Sequence, residues 1–557
     1  MLGWRKAYPP RTLGPGTFAA MKTTMTLAAL LLAGSASCGW AKTDCTVDAL
    51  NGLTVAGVHV TQATATAATD TAPAHCAVQG TMETRGEGAP PGSARFALQL
   101  PEMWQQRFFF MGVGGNAGTL TPSANALDRL SALGKGYAMI VQDSGHAGNG
   151  TDAGWLTKPD GTRDQAKMVD FLYRAAHDVT VTGKSLVQAY YGAPVQHAYF
   201  DGCSTGGRMA TMEAERYPTD FDGIIAGDPA MDYHSTLLRF TVQKAALSSA
   251  SAWLSPDTLR MVDRIVNERC DAIDGATDGL VQNPAACPVK ASDLMCRGGA
   301  TTDCLTPEQT LVLQAYTTPL HDRHGHFLYP GWAITNLSGP RGAGFWSTGE
   351  TAPDLSHPEA PWGDDLKATP IGWTFAHQAL SYWMGMGPGQ SMLGLDVDPK
   401  TSTVGDTLVA RLDRTFGAGE TKNPAKLLAF IRQGRKLIIY HGTSDPAIPA
   451  ARSVLFYNDL VHDVGSVREA QESVRLFLVP GMQHCSGGIG PDQFDTLSAI
   501  EVWVEHRKAP DVILAKTKPD SPAPHSLPLC PYPRQARYAG SGALTDAANW
   551  ACDATAK

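Results

Sequence analysis

An α/β fold, a mostly parallel and doubly wound sheet carrying one large insertion, is predicted by three features of the sequence. Short apolar runs alternate with segments of helical periodicity between residues 107 and 226. One of these runs passes directly into Gly202-Cys203-Ser204-Thr205-Gly206, a glycine-flanked serine where a strand gives way to a helix. The alternation then stops near residue 230 and resumes only at Lys436.

Size and composition allow such a fold. A chain of 557 residues has room for roughly two to four domains, or for one large core with an insertion. With 43% hydrophobic and 18% charged residues it resembles neither a disordered chain nor a membrane protein. Its 45 basic and 53 acidic residues are interspersed and leave a net charge of −8, so no basic stripe suits a nucleic-acid backbone. The sequence carries no signal for an oligomeric state.

The elements follow in chain order. Lys22 precedes the apolar run Thr26–Gly34, which small residues follow, the pattern of a signal peptide over residues 1–41. The run is too short to span a bilayer. Met21-Lys22 opens a compact signal by itself, which makes the preceding residues an upstream extension, and cleavage is expected near Ser37 or Ala41. A lipoprotein anchor at Cys38 is the alternative, against which Ser35 stands where a leucine is expected. The expected location is therefore secreted or periplasmic. Residues 42–229 form the first part of the core, with strands expected at Leu53–Thr61, Ala94–Leu100, Arg107–Val113, Tyr137–Gln142, Gln196–Asp201 and Phe221–Ala226. Residues 165–190 have helical spacing, and Met209, Ala210 and Met212 fit a buried helix behind the serine. Residues 230–428, rich in Gly, Pro and Trp, are expected as an irregular second domain over one end of the sheet. Residues 429–557 complete the core, with strands at Lys436–Tyr440 and Val474–Val479.

The serine motif needs its setting. A nucleophilic serine sits on a sharp strand-to-helix turn that only flanking glycines let the backbone make, and the next N–H, of Thr205, then points at the reacting oxygen. The partners of such a serine follow in the order acid, then histidine. Asp445 lies just past the strand Lys436–Tyr440, and His484 lies just past Val474–Val479. His441 is a rival imidazole, but it precedes the acid and is expected to support the turn. This combination predicts an α/β-hydrolase core with a large inserted lid domain. A second oxyanion donor is expected from the Gly-rich turn Met111–Asn116, at Gly115, with Gly114 as its neighbouring alternative.

Export gives the cysteines a role. Ten follow Cys38, an even number that suggests paired disulfides, and no C-x-x-C pair is present. A hydrogen bond between His484 and Ser204 would bring their neighbours Cys485 and Cys203 within the roughly 4.4–6.8 Å Cα separation of a disulfide. In the insertion, Asp271, Asp274 and Asp278 crowd three carboxylates into eight residues, between Cys270 and Cys287. A structural calcium is the expected neutralising ion, held by those carboxylates and the carbonyls of Ala276 and Leu280. An acidic, solvated turn is the other reading.

Together these features resemble the tannase and feruloyl esterase family, which also includes a terephthalate monoester hydrolase. The resemblance covers nearly the whole mature chain. It rests on Gly202–Arg208, Asp143-Ser144-Gly145-His146, the Asp271–Leu280 loop, and His441-Gly442-x-x-Asp445 with His484-Cys485. It implies a serine esterase with the triad Ser204, Asp445 and His484, the disulfide Cys203–Cys485, and a calcium-bearing lid. It further implies the pairs Cys45–Cys76, Cys270–Cys287, Cys296–Cys304 and Cys530–Cys552. The implied partner is a small-molecule ester of an aromatic acid: gallate, ferulate, another hydroxybenzoate or a terephthalate monoester. One departure stands out: family members often continue Gly-Ala-Pro-Ala where this chain has Gly227-Asp228-Pro229-Ala230. A serine peptidase, a catalytically inactive binding protein and a hydrolase dependent on the Asp271 loop are the competing readings.

Overall fold

The nine strands of the main sheet are contributed from both sides of the insertion. The computed structural model describes residues 42–363, 365, 367–390, 393–521 and 524–553; the expected signal segment, with Cys38, lies outside them. In chain order the strands are β1 (Val58–Thr66), β2 (His75–Thr84), β3 (Gly92–Pro101), β4 (Arg107–Met111), β5 (Tyr137–Gln142), β6 (His197–Cys203), β7 (Gly223–Gly227), β8 (Lys436–Gly442) and β9 (Val474–Val479). They are arranged β1-β2-β3-β5-β4-β6-β7-β8-β9. The pairs from β1 through β3 to β5 are antiparallel, and every pair from β5 to β9 is parallel.

Composition explains the division. β2 and β3 alternate buried and more exposed positions, as a sheet with one solvated face requires, whereas β5 is buried at every position and β6 at all but its first. The flanking helices include α1 (Ala175–Tyr191), α2 (Thr205–Arg216), α3 (Ser235–Ala246), α4 (Ala450–Val464) and α5 (Thr496–His506). The periodic stretch at 165–190 is helical but not uniform. A π-helical turn at Asp170–Arg174 interrupts it, fastened by a buried Arg174 Nε–Asp170 Oδ1 pair at 2.6 Å. α2 packs on β6 and β7 and is buried over most of its length, which explains its methionines and alanines.

Two expectations change. The first strand begins at Val58, after a short helix Val47–Asn51 capped by the Thr46 side chain and a turn through Gly57 at φ +75°. The insertion is more regular than its composition suggests, with helices at Ser235–Ala246, Pro256–Cys270, Pro307–Thr317 and Thr403–Phe416. Three of these start at side-chain caps, Ser255, Thr306 and Ser402, and two have proline at the first helical position. The insertion and the sheet share one compact unit.

Candidate active site

β6 ends at Cys203 and α2 begins at Thr205, leaving Ser204 alone at the junction with φ +63° and ψ −122°. A side chain is strained in that conformation, and the surrounding backbone has to impose it. The Ser204 N–H donates to Gly227 O at 2.9 Å, fixing the turn to the end of β7. A Cβ on Gly202 would lie 2.6 Å from the Gly206 carbonyl, so the two arms of the turn meet only because this residue has no side chain.

The acid and the imidazole come from the loops after β8 and β9. Asp445 is buried; its Oδ1 accepts the N–H groups of Ala447 (2.7 Å) and Ile448 (3.0 Å), and its Oδ2 accepts from His484 Nδ1 at 2.8 Å. Burial pushes this carboxyl up. The charge of His484 and hydrogen bonds from His441 and His484 outweigh burial and hold it below the usual carboxylate range. His441 braces the turn: its Nε2 donates to Ile448 O (2.9 Å), and its Nδ1 bonds the Ser453 hydroxyl (2.8 Å). The edge of Trp346 meets the His484 ring, with centroids 5.2 Å apart.

Ser204 and His484 line one cavity of about 140 Å³. Among the described residues the Ser204 hydroxyl has no hydrogen-bond partner; such contacts often tighten only when substrate is bound. Phe171, Trp346, Phe375, Trp383 and Phe416 supply aromatic wall. Asp232, Tyr233 and Arg239 supply the polar part. Gly115 and Thr205 also line the cavity, and Gly114 does not. Thr205 opens α2, so its N–H belongs to the first turn, which lacks intrahelical acceptors. Gly115 takes φ +58°, and a Cβ there would lie 2.1 Å from Gly150 O. Its own N–H has no partner among the described residues, whereas the next one, of Asn116, donates to Gly150 O at 2.7 Å.

Five disulfides are present: Cys45–Cys76, Cys203–Cys485, Cys270–Cys287, Cys296–Cys304 and Cys530–Cys552. The Cα atoms of Cys203 and Cys485 are 6.0 Å apart. Away from the cavity, the acidic loop folds on its own backbone. Asp271 accepts the N–H groups of Asp278 and Gly279, Asp274 that of Ala276, and Asp278 that of Leu280. This leaves Oδ2 of Asp274 buried with no partner, and Oδ2 of Asp278 buried 3.5 Å from Nε2 of His525. Burial, with repulsion among the three acids, pushes Asp274 up to about 7 and Asp278 up to about 6. The three carboxylates do not converge within 4.8 Å of one another among the described residues.

Several supporting groups were not legible from sequence. His146 stacks on Trp155 at 3.7 Å and bonds Asn116 O through Nε2 at 2.9 Å, steadying the loop that carries Gly115. Burial lowers its pKa to about 4, so the ring is neutral. Arg95 reaches Asp143 (2.6 Å) and Gly118 O (2.9 Å), which explains the acidic start of the Asp143–His146 motif. Arg239 has its partners on distant loops, the Ser347 hydroxyl and the carbonyls of Pro446 and Ala447.

Comparison with known proteins agrees with this architecture. The family described as "Tannase and feruloyl esterase" matches residues 76–553. Mono(2-hydroxyethyl) terephthalate hydrolase from Piscinibacter sakaiensis is 32% identical over 534 residues, which cover 88% of this chain and 87% of that protein. Feruloyl esterase B from Aspergillus niger is 27% identical over 473 residues, 81% and 82% of the two chains. The crystal structure of feruloyl esterase B from Aspergillus oryzae shares the fold, with a TM-score of 0.71 at 24% identity over 90% of this chain and 97% of that one. A family match over most of the chain, on a sheet of the expected type, identifies the protein as a carboxylic ester hydrolase that belongs to the tannase and feruloyl esterase family.

Proposed function

We propose that the chain hydrolyses esters of aromatic acids by two-step acyl transfer on Ser204, with His484 as base and Asp445 as its orienting acid. The observation that carries this reading is one cavity containing both Ser204 and the Asp445-bound imidazole, walled by aromatic rings. Its volume, about 140 Å³, is close to the roughly 150 Å³ of an apolar cavity that accepts benzene. That is room for one aromatic ring.

In the first step His484 Nε2 takes the Ser204 proton as the hydroxyl attacks the ester carbonyl. Asp445 keeps the Nδ1–H tautomer and stabilises the imidazolium. The N–H groups of Gly115 and Thr205 receive the oxyanion. The alcohol departs with the proton from His484, and water activated by the same imidazole releases the acid. Ser204→Ala should abolish turnover of methyl ferulate and methyl gallate while leaving the melting temperature in place. Turnover near the wild-type rate would overturn the reading.

A terephthalate monoester is the second reading, favoured by Arg239. This buried guanidinium lines the cavity beside Trp346, and burial lowers its pKa only to about 10, so it is cationic at neutral pH. Its bonds to Ser347, Pro446 and Ala447 leave the Nε–H and one Nη1–H for a second carboxylate. Release rates measured side by side on ferulate, gallate and terephthalate monoesters separate the two readings.

The acidic loop is proposed to hold a structural calcium through Asp271, Asp274 and Asp278, with the carbonyls of Ala276 and Leu280. The orphaned buried oxygen of Asp274, in an all-oxygen donor set, supports this. The ion's role is to neutralise the loop; no step of the reaction runs through it. Export to a secreted or periplasmic location is proposed as well, supported by the five disulfides.

A further inference from the structure

Asp228 begins the loop after β7, the strand next to the one that carries the nucleophile, and no part of the triad chemistry above uses it. It is fully buried, and its backbone takes φ +35°, a conformation that disfavours a side chain unless contacts hold it. Those contacts are specific. Oδ1 accepts the N–H of Gly442, the last residue of β8 where the acid loop begins, at 2.7 Å. Oδ2 accepts the N–H of Cys485, next to His484, at 2.6 Å. The same oxygen lies 3.4 Å from Sγ of Cys203; a disulfide sulfur has no proton, so this is a contact and not a hydrogen bond. One carboxylate thus touches the elbow, the acid loop and the histidine loop. In addition, an oxygen of Asp228, an oxygen of Asp445 and a ring nitrogen of His484 lie within 4.8 Å of one another.

We infer that Asp228 is a second acidic positioning residue of the active site, holding the His484 loop in register and adding a negative charge behind the imidazolium formed during acyl transfer. The inference rests on the Ser204–His484–Asp445 reading. Charged groups around the two carboxylates are His441 from β8, His484, and Arg239 from α3, together with the phenols of Tyr440, Tyr316 and Tyr329. Burial raises the Asp228 carboxyl to about 6, so it is ionised at neutral pH. His441, whose pKa is raised by Asp228 and Asp445 against the effect of burial, offsets part of the paired charge.

The test uses Asp228→Asn and Asp228→Ala in the full chain, checked for an intact Cys203–Cys485 bond. A negative charge near the imidazole raises its pKa, so removing the charge should move the acid limb of the kcat/KM profile to lower pH by about one unit. The kcat should fall about tenfold or more with KM within about twofold, because only the charged state of His484 loses support. A limb that stays in place, with or without loss of activity, would reduce Asp228 to a scaffold contact. An independent measurement keeps Asp228 intact: Asp445→Asn should lose clearly less kcat than the roughly 10⁴-fold of a triad with a single acid, and a loss of that full size overturns the inference. If Ser204→Ala itself remains active, the triad reading fails instead.

Discussion

Asp445 is surrounded by donors that only an ionised carboxylate satisfies together: two backbone N–H groups on Oδ1 and the His484 ring on Oδ2. Asparagine has nearly the same shape, but its amide presents N–H where the imidazole N–H points. Asp445→Asn should therefore leave the protein folded and force the wrong tautomer on His484, lowering kcat by at least about tenfold but by less than the roughly 10⁴-fold expected where no second acid stands by. Initial rates together with a thermal melt check this. A comparable loss of melting temperature and rate would instead indicate a collapsed loop. The chain order of Ser204, Asp445 and His484 was legible because each residue follows an apolar run that becomes a strand. Asp228 was not. The groups that give it meaning, Gly442 and Cys485, are 214 and 257 residues away, and a single acid after a strand carries no signature of such contacts.

The acidic loop behaves as a unit, and its sign with pH can be worked out. Asp274 and Asp278 bind protons more tightly in the folded chain, at about 7 and about 6, than an unfolded carboxyl does at about 4. Without metal, stability should therefore fall as pH rises from about 4 through about 7, and remain lower above it. Burial is the main cause and repulsion among the acids adds to it; a bound calcium would stabilise the charged form that both disfavour. The gap in melting temperature between calcium-loaded and chelated protein should widen from pH 5 to pH 8, while ester hydrolysis at low temperature stays nearly constant. A gap independent of pH would show that these two acids do not hold the ion. The same scale explains what the sequence reading made of the insertion. Strands such as β5 declare themselves by unbroken apolar residues, whereas the helix Pro256–Cys270 carries a polar face and its clearest mark is the capping pair Ser255-Pro256. Glycine- and tryptophan-rich neighbours hide such marks because they serve the cavity wall and tight turns, not the helix period.

Across the whole molecule, the insertion separates Ser204 from Asp445 and His484, and the Cys203–Cys485 bond, spanning 282 residues, restores the connection. A cross-link over so long a loop restricts the unfolded chain, and the Cys203→Ala/Cys485→Ala double variant should lose about 2–5 kcal/mol of stability. Denaturant titration reads that loss, with a larger proportional fall in kcat than in 1/KM. The position of the bond has a different consequence from its strength. A link at the surface would leave the cavity indifferent to thiol chemistry, but this one joins the neighbours of Ser204 and His484. Polypeptide made in a reducing compartment should be a poorly active precursor that reaches its full rate only after it meets an oxidant. Oxidation would thus do for this hydrolase what cleavage of an inhibitory segment does for a zymogen, without the loss of a single residue.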